Sequence, residues 1–141
     1  MYTASCLCGG VQFRIASELA PVQVCHCSLC RKAQGGPFAT NTPVNLSDFE
    51  LLRGADLLTI YESSPGKQRV FCRTCGSPIY SSKDSLPGVV RVRAGLINEP
   101  LGVRPAVHFY VGSRANWWNI DDGLPQFEAA YIAPASAPPT P

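Results

Sequence analysis

The segment from Cys25 to Lys32 contains three thiols within six residues and then two cations, Arg31 and Lys32. A structural zinc site has four protein ligands, whereas a catalytic zinc has three and keeps one position open. Cys25, Cys27 and Cys30, which we call the three-cysteine cluster, could therefore hold a zinc ion that still accepts a ligand from solution. The alternative is a structural site that a fourth ligand from elsewhere in the chain closes.

The other four cysteines form two short pairs far apart in the sequence, each followed by a glycine. They are Cys6 and Cys8, and Cys72 and Cys75, which together we call the four-cysteine cluster. The glycine permits a positive φ, which lets the backbone fold back towards metal-bound sulfurs. These pairs predict a closed structural zinc site that joins the first strand to the middle of the sheet. The spacing also permits a mixed arrangement in which Cys25 or Cys30 joins one of the pairs.

The chain has two histidines, which are the nearby candidates for a fourth ligand. His26 lies between two cysteines of the three-cysteine cluster, so its side chain should point away from a metal that they share. His108 lies in the apolar run 106–111, which is more typical of a hydrogen-bonded core histidine than of a ligand.

The charge of the three-cysteine cluster indicates its chemistry. Three thiolates and Zn²⁺ carry a net charge of about −1, which makes the ion poorly suited to acidifying bound water. A substrate thiol is the better match for the open position, and the resulting negative charge needs a cation nearby. Arg31 and Lys32 could supply it, although they are equally consistent with an ordinary solvated pair. The predicted chemistry is transfer of a thiolate to or from an electrophilic carbon.

The elements that must position these residues are mainly strands, because apolar and polar residues alternate between Gly- and Pro-rich turns. The predicted strands are 11–15, 22–24, 49–52, 57–61, 69–71, 79–82, 89–94 and 107–111. A hairpin is predicted at 64–67, and short helical turns after Cys30 and around Asp48. Thirteen prolines and twelve glycines argue against long helices. We expect antiparallel sheets in a single domain, 1–132, with a disordered Pro/Ala-rich tail at 133–141.

Composition and charge exclude several classes of function. The net charge of +2 is small and forms no basic stripe, which argues against a nucleic-acid partner. No apolar run approaches the ~18 residues of a membrane span, and the first residues lack a signal-peptide pattern, so we expect a cytoplasmic protein. Seven cysteines in such a protein favour metal binding over disulfides. Thioredoxin-type redox chemistry is disfavoured because neither C-x-x-C pair is expected to open a helix.

Five motifs together resemble the glutathione-dependent formaldehyde-activating enzyme family, which includes the centromere protein V/formaldehyde-activating domain. They are Cys6-x-Cys8-Gly9, Cys25-His26-Cys27-Ser28-x-Cys30-Arg31-Lys32, Phe71-Cys72-x-x-Cys75-Gly76-Ser77-Pro78, Arg104-Pro105-x-x-His108 and Asp122-Gly123-Leu124-Pro125. All seven cysteines fall on the family pattern, and the match runs from about residue 3 to 130.

The resemblance implies a beta-tent fold with two zinc ions per chain. The four-cysteine cluster would hold a structural zinc, and the three-cysteine cluster a catalytic one. The implied activity is that of a carbon–sulfur lyase that joins glutathione, or a similar thiol, to formaldehyde or another small aldehyde. Two rival hypotheses are a non-catalytic zinc module that binds a thiol metabolite or protein partner, and a thiol redox sensor.

Two further groups have both a functional and a structural interpretation. Arg91, Arg93 and Arg104 could bind the carboxylates of glutathione, since arginine suits planar two-point contacts. The alternation Arg91-Val92-Arg93 also fits the solvent side of a strand. Trp117 and Trp118 could line a pocket, although burial at the base of a loop is the favoured interpretation.

Overall fold

The computed structural model describes residues 1–130. The strands are β1 (Tyr2–Ser5), β2 (Gln12–Ile15), β3 (Val22–Cys25), β4 (Ala39–Asn45), β5 (Phe49–Arg53), β6 (Leu58–Ser64), β7 (Lys67–Cys72), β8 (Pro78–Lys83), β9 (Val89–Arg93) and β10 (Pro105–Phe109). One α-helix, α1 (Ser28–Gln34), follows β3 in this part of the chain. Single 3-10 turns occupy Leu46–Asp48, Ala55–Leu57, Ala94–Leu96 and Val111–Ser113.

Two sheets contain these strands. A three-stranded sheet has the order β1-β2-β5, and a seven-stranded sheet has the order β10-β3-β4-β9-β8-β7-β6. All pairs are antiparallel except β3 and β10, which are parallel. The expectation of purely antiparallel sheets is therefore wrong at this edge. No hairpin joins β3 to β10, so the connection does not dictate their relative direction.

The hydrophobic core contains one face of each sheet. Phe13 and Ile15 of β2 are fully buried and belong to the same cluster as Val90 and Val92 of β9. Because side chains alternate across a strand, Arg91 and Arg93 lie on the opposite face of β9, which faces away from this core. The seven-stranded sheet thus has an apolar face in the core and a second, polar face.

Most predicted strands are confirmed within a few residues, and so is the hairpin, whose turn consists of Pro65 and Gly66 between β6 and β7. Two strands, β1 and β4, were not predicted. The sequence of β4 is Ala-Thr-Asn-Thr-Pro-Val-Asn, in which Pro43 and two asparagines conceal the strand pattern. Its pairing on both sides, with β3 and β9, stabilises it despite this composition.

Helix α1 begins directly after Cys27, whose side chain accepts a hydrogen bond from the Cys30 backbone as an N-cap. The predicted helical turns after Cys30 and around Asp48 are confirmed. The expectation that neither C-x-x-C pair opens a helix is wrong for Cys27 and Cys30. The helix ends at Gly35, which adopts a left-handed conformation with φ 67°. With seven residues it is too short to be stable alone, so its contacts with the polar face of the sheet hold it in place.

The proposed single domain, 1–132, stays a prediction, and the predicted tail at 133–141 lies outside the described residues. Within residues 1–130, no helix has both the length and the apolar character needed to cross a membrane.

Candidate functional site

The four-cysteine cluster assembles where the loop between β1 and β2 meets the segment between β7 and β8. All four sulfurs lie within 4.8 Å of one another. Cys8 Sγ is 3.6 Å from Cys6 Sγ and 3.8 Å from Cys72 Sγ. Four sulfurs bound to one zinc at ~2.3 Å would be about 3.8 Å apart, so the arrangement fits a tetrahedral zinc ion. Gly9 and Gly76 each have φ 76°, as predicted for the turn after each pair.

The surroundings of this cluster lower the pKa of Cys6 and Cys75, whereas the neighbouring cysteines raise that of Cys8. Backbone N–H groups donate to two sulfurs, Val11 N to Cys6 Sγ at 3.3 Å and Gly10 N to Cys8 Sγ at 3.4 Å. Cys75 Sγ lies 3.2 Å from the Ser77 hydroxyl, and this contact, followed by backbone hydrogen bonds from Ser77 and Cys8, lowers the pKa of Cys75 to about 5. Metal ligands are commonly oriented by such outer hydrogen bonds.

The three-cysteine cluster forms between the end of β3 and the start of α1. Its sulfurs also lie within 4.8 Å of one another, and the Cys30 backbone N–H donates to Cys27 Sγ at 3.2 Å. No histidine, aspartate or glutamate among residues 1–130 joins this group at that distance. The cysteines thus assemble as four plus three, and the mixed arrangement is absent from the described residues. Three sulfurs at this spacing fit a zinc ion with one open position.

Arg69 is the cation that lies beside the three-cysteine cluster. Its side chain is buried, and Nη2 is 3.7 Å from Cys30 Sγ while Nε donates to Ser63 Oγ at 3.0 Å. Hydrogen bonds from Cys25 and Cys27, and then the guanidinium of Arg69, lower the pKa of Cys30 far below that of a free thiol. Arg69 therefore stabilises the thiolate form of Cys30.

Arg31 and Lys32 are placed differently. Arg31 Nε donates to the carbonyl of Ser113 at 3.1 Å, and Lys32 is exposed. Neither residue lines the cavity described below. Their proposed role in binding the substrate stays a prediction, and Arg69, on β7, has the contact that was expected of them.

The two histidines form a buried chain behind the cluster. His26 Nε2 is 2.8 Å from His108 Nδ1, and His108 Nε2 is 2.8 Å from Asp122 Oδ2. His26 is completely buried, and burial lowers its pKa. The parallel pairing of β10 with β3 produces this contact, since it places Phe109 beside Cys25. The orientation of His26 away from the sulfurs and the core position of His108 are as expected from the sequence.

The carboxylate of Asp122, at the end of the hydrogen-bonded chain, determines the tautomers of the two histidines. A hydrogen bond from Leu124 N and another from His108 lower the pKa of Asp122, so this side chain is an acceptor. His108 then donates from Nε2 and, when neutral, accepts at Nδ1 from the Nε2–H of His26. His26 Nδ1 is left as a buried atom without a hydrogen-bond partner.

A cavity of about 580 Å³ opens over the three-cysteine cluster, and all three cysteines line it. The polar face of the seven-stranded sheet forms its other side. Its charged lining residues are Lys67, Arg69, Lys83, Asp84 and Arg91. This volume is within the range of small-molecule sites, ~300–1,000 Å³.

Lys67 and Lys83 are direct cross-strand partners, and Arg91 is paired with Ser81 on the next strand. We call Lys67, Lys83 and Arg91 the basic wall. Burial, followed by repulsion from Arg91, Lys83 and Arg69, lowers the pKa of Lys67 to about 8. Of these three, sequence reasoning identified only Arg91. The period-two spacing of Lys67 and Arg69 was the available signal, but it needs the strand order to become meaningful.

The remaining candidates lie outside the cavity. Arg93 is buried and donates to Asn41, Ser81 and Gln34, so it does not face solvent, and it does not line the cavity over the three-cysteine cluster. Arg104 is exposed. The predicted burial of the tryptophans is wrong, since Trp117 is 65% and Trp118 43% exposed, although Trp118 packs edge-on against Phe38.

Comparisons with known proteins show which family this chain resembles. The family model of the glutathione-dependent formaldehyde-activating enzyme matches residues 1–113. A Halomonas elongata protein with the provisional name of glutathione-dependent formaldehyde-activating enzyme is 34% identical over 126 residues, which cover 83% of this chain and 79% of that protein. An uncharacterized lyase of Schizosaccharomyces pombe is 30% identical over 83 residues, 56% of each chain.

A solved structure has a related fold. The crystal structure of a Rhodobacter sphaeroides protein superposes with a TM-score of 0.60 at 28% identity, and the match covers 74% of this chain and 99% of that one. The family match includes all seven cysteines and the whole basic wall. The chain belongs to the glutathione-dependent formaldehyde-activating enzyme family.

Proposed function

We propose that this protein is a zinc-dependent carbon–sulfur lyase-type enzyme that joins glutathione, or a similar thiol, to formaldehyde or another small aldehyde. The product of the first pair is S-(hydroxymethyl)glutathione. The observation that carries the proposal is the position of the three-cysteine cluster, whose sulfurs converge in the lining of a cavity that is large enough for a small peptide. The four-cysteine cluster is proposed to hold the structural ion.

A zinc ion bound to the three-cysteine cluster would supply an open position in which a substrate thiol is held as its thiolate. The chain itself compensates the negative charge, because Arg69 lies against Cys30. The buried contact between His26 and His108 holds the loop that carries Cys25 and Cys27 against β10. The cavity brings thiol and aldehyde together, which reduces the entropic cost of their encounter.

The reaction is balanced without an oxidant or a further reactant. The thiolate sulfur forms a bond to the aldehyde carbon, and the carbonyl π pair moves to oxygen. The oxygen then takes up the proton that the thiol has lost. In the reverse direction the carbon–sulfur bond breaks and the same proton returns to sulfur.

Magnetisation-exchange NMR on a mixture of glutathione and formaldehyde tests this function. The zinc-loaded protein should speed interconversion between the free thiol and the hydroxymethyl adduct beyond the spontaneous rate, in proportion to protein concentration. Cys30→Ser should return the rate to the spontaneous value. An exchange rate that is unchanged at protein concentrations comparable to substrate would rule out the enzyme.

The second candidate is a non-catalytic zinc module that binds a thiol metabolite. It is favoured by the placement of His26 and His108, which contact each other and do not line the cavity, so neither is available as a general acid or base. The same experiment distinguishes the two candidates, since a binding module broadens or shifts the glutathione signals without changing the exchange rate.

A further inference from the structure

The basic wall concentrates three positive charges on neighbouring strands of one sheet. Lys67 and Lys83 are directly opposed on neighbouring strands, and like charges in this position destabilise a sheet. Arg91 donates to the neutral Gln23 side chain at 3.1 Å. The ion pairs found within residues 1–130 are Arg14 with Glu50 and His108 with Asp122, so no member of the wall has an ion pair there.

This arrangement differs from an ordinary solvated face. All three side chains are partly buried, and together with Arg69 they line one wall of a single cavity. Burial is the first cause of the lowered pKa of Lys67, and repulsion from Arg91, Lys83 and Arg69 adds to it. An anionic ligand in the cavity would relieve that repulsion, and partial burial would strengthen its attraction to the wall.

One acidic residue, Asp84, lines the same cavity in the described part of the chain. It lies at the exposed rim, next to the β6–β7 turn, where its backbone N–H donates to the Gly66 carbonyl at 2.9 Å. It makes no ion pair with a cation of residues 1–130. Its carboxylate is therefore free to accept a hydrogen bond from a positively charged group of a ligand.

We propose that Lys67, Lys83 and Arg91 bind the carboxylates of the thiol substrate and that Asp84 binds its ammonium group. The site would thereby select an amino-acid or peptide thiol over a simple alkyl thiol. This inference rests on the proposed function for the identity of the ligand. It adds the residues that recognise the part of the substrate remote from sulfur.

Binding of S-methylglutathione to the zinc-loaded protein, measured by isothermal titration calorimetry, tests the proposal separately from the reaction. This probe keeps both carboxylates and the ammonium but has no thiol to react. Lys83→Met and Arg91→Met should each weaken its binding about tenfold, because each removes a charge-assisted hydrogen bond. Arg53→Met is the matched control, since Arg53 is an exposed arginine on β5 in the other sheet and should leave binding unchanged.

Two modified probes separate the parts of the site. The diethyl ester of S-methylglutathione should bind weakly and equally to the wild-type protein and to the Lys83 and Arg91 variants. N-acetyl-S-methylglutathione lacks the ammonium, so Asp84→Asn should weaken binding of the parent probe and leave that of the acetylated probe unchanged. Circular dichroism of each variant checks that it is folded.

The proposal is overturned if the diester binds as tightly as S-methylglutathione, or if folded Lys83→Met and Arg91→Met variants bind the parent probe as the wild type does. The calorimetric outcome does not depend on whether the protein catalyses the reaction. Selective binding of S-methylglutathione without any acceleration of the exchange reaction would support the basic wall and reject only the enzyme. Acceleration of the exchange reaction without selective binding would support the enzyme and reject the role of the basic wall.

Discussion

At the scale of single residues, the open site depends on groups that surround the cysteines as much as on the sulfurs. Arg69 is buried, contacts Cys30 and has one nitrogen, Nη1, with no hydrogen-bond partner. A buried guanidinium is costly unless negative charge lies near it. The thiolates of the three-cysteine cluster provide that charge, so we infer that Arg69 and the cluster stabilise each other.

Replacement of Arg69 by Met should therefore weaken zinc binding at the three-cysteine cluster. Loss of an outer partner of a metal ligand typically lowers metal affinity about 10- to 100-fold. Competition with a chromophoric chelator measures this, and the four-cysteine cluster of the same molecule is the internal control. Arg69→Lys, which keeps the charge, should recover part of the affinity. Equal affinities for wild type and Arg69→Met would contradict the stated role.

The hydrogen bonds that join the side chains of His26, His108 and Asp122 lead to a second prediction for single residues. Asp122→Asn lets an amide N–H face His108, which removes the requirement that His108 donates from Nε2. We expect ¹⁵N NMR to show the Nε2–H tautomer of His108 in the wild type and a change in the variant. Zinc release from the three-cysteine cluster should also accelerate. The acceleration should be smaller than about tenfold, which is the lower limit expected for loss of a direct partner of a metal ligand. An unchanged tautomer would show that Asp122 does not orient the histidines.

At the scale of elements, much of the structure follows from local pattern. Alternation along β2 and β9 predicted the two strands, and the pairing of the cysteines followed from the glycines after them. The interpretation of Arg93 as solvent-facing is wrong, since this side chain is buried. The start of α1 was missed because its N-cap is Cys27, a residue that is uncommon at helix N-caps. The basic wall required knowledge that β7, β8 and β9 are neighbours, since three cations distant in sequence become adjacent only through strand order.

The backbone of Gly54, after β5, lies very close to the backbone of Val11, before β2, and this contact can be tested directly. Gly54 has φ 93°, and a Cβ there would lie 2.8 Å from the Cα of Val11. Gly54→Ala should therefore lower the free energy of unfolding by about 2–3 kcal/mol, through strain and displacement of the segment between Cys8 and β2. Gly95→Ala is the control, because a Cβ at Gly95 meets no atom within 4 Å. Denaturant unfolding of both variants measures the difference, and equal midpoints would contradict this packing.

At the scale of the whole molecule, the two cysteine clusters differ in the segments that they join. The four-cysteine cluster brings together two segments that are distant in sequence, so a metal ion bound there would contribute to folding. The three-cysteine cluster lies within one local stretch, 25–30, and faces a cavity. The fold should consequently depend on the first cluster and the activity on the second.

Zinc content and stability of two matched variants test this division. Wild-type protein should contain two zinc ions per chain. Cys30→Ser should lose one and keep its fold, whereas Cys72→Ser should lose the structural ion and be strongly destabilised or unfolded. Native mass spectrometry and thermal unfolding measure both properties. If Cys30→Ser were as unstable as Cys72→Ser, both clusters would be structural.

The central claim is that the three-cysteine cluster is an open metal site that captures a thiol. Cobalt substitution followed by titration with glutathione tests it most directly, because sulfur-to-cobalt charge-transfer absorption increases when another thiolate joins the metal. We predict a saturable increase in the wild-type protein and none in Cys30→Ser, whose four-cysteine cluster is already complete. An unchanged charge-transfer spectrum at saturating glutathione in the fully cobalt-loaded wild type would contradict the account.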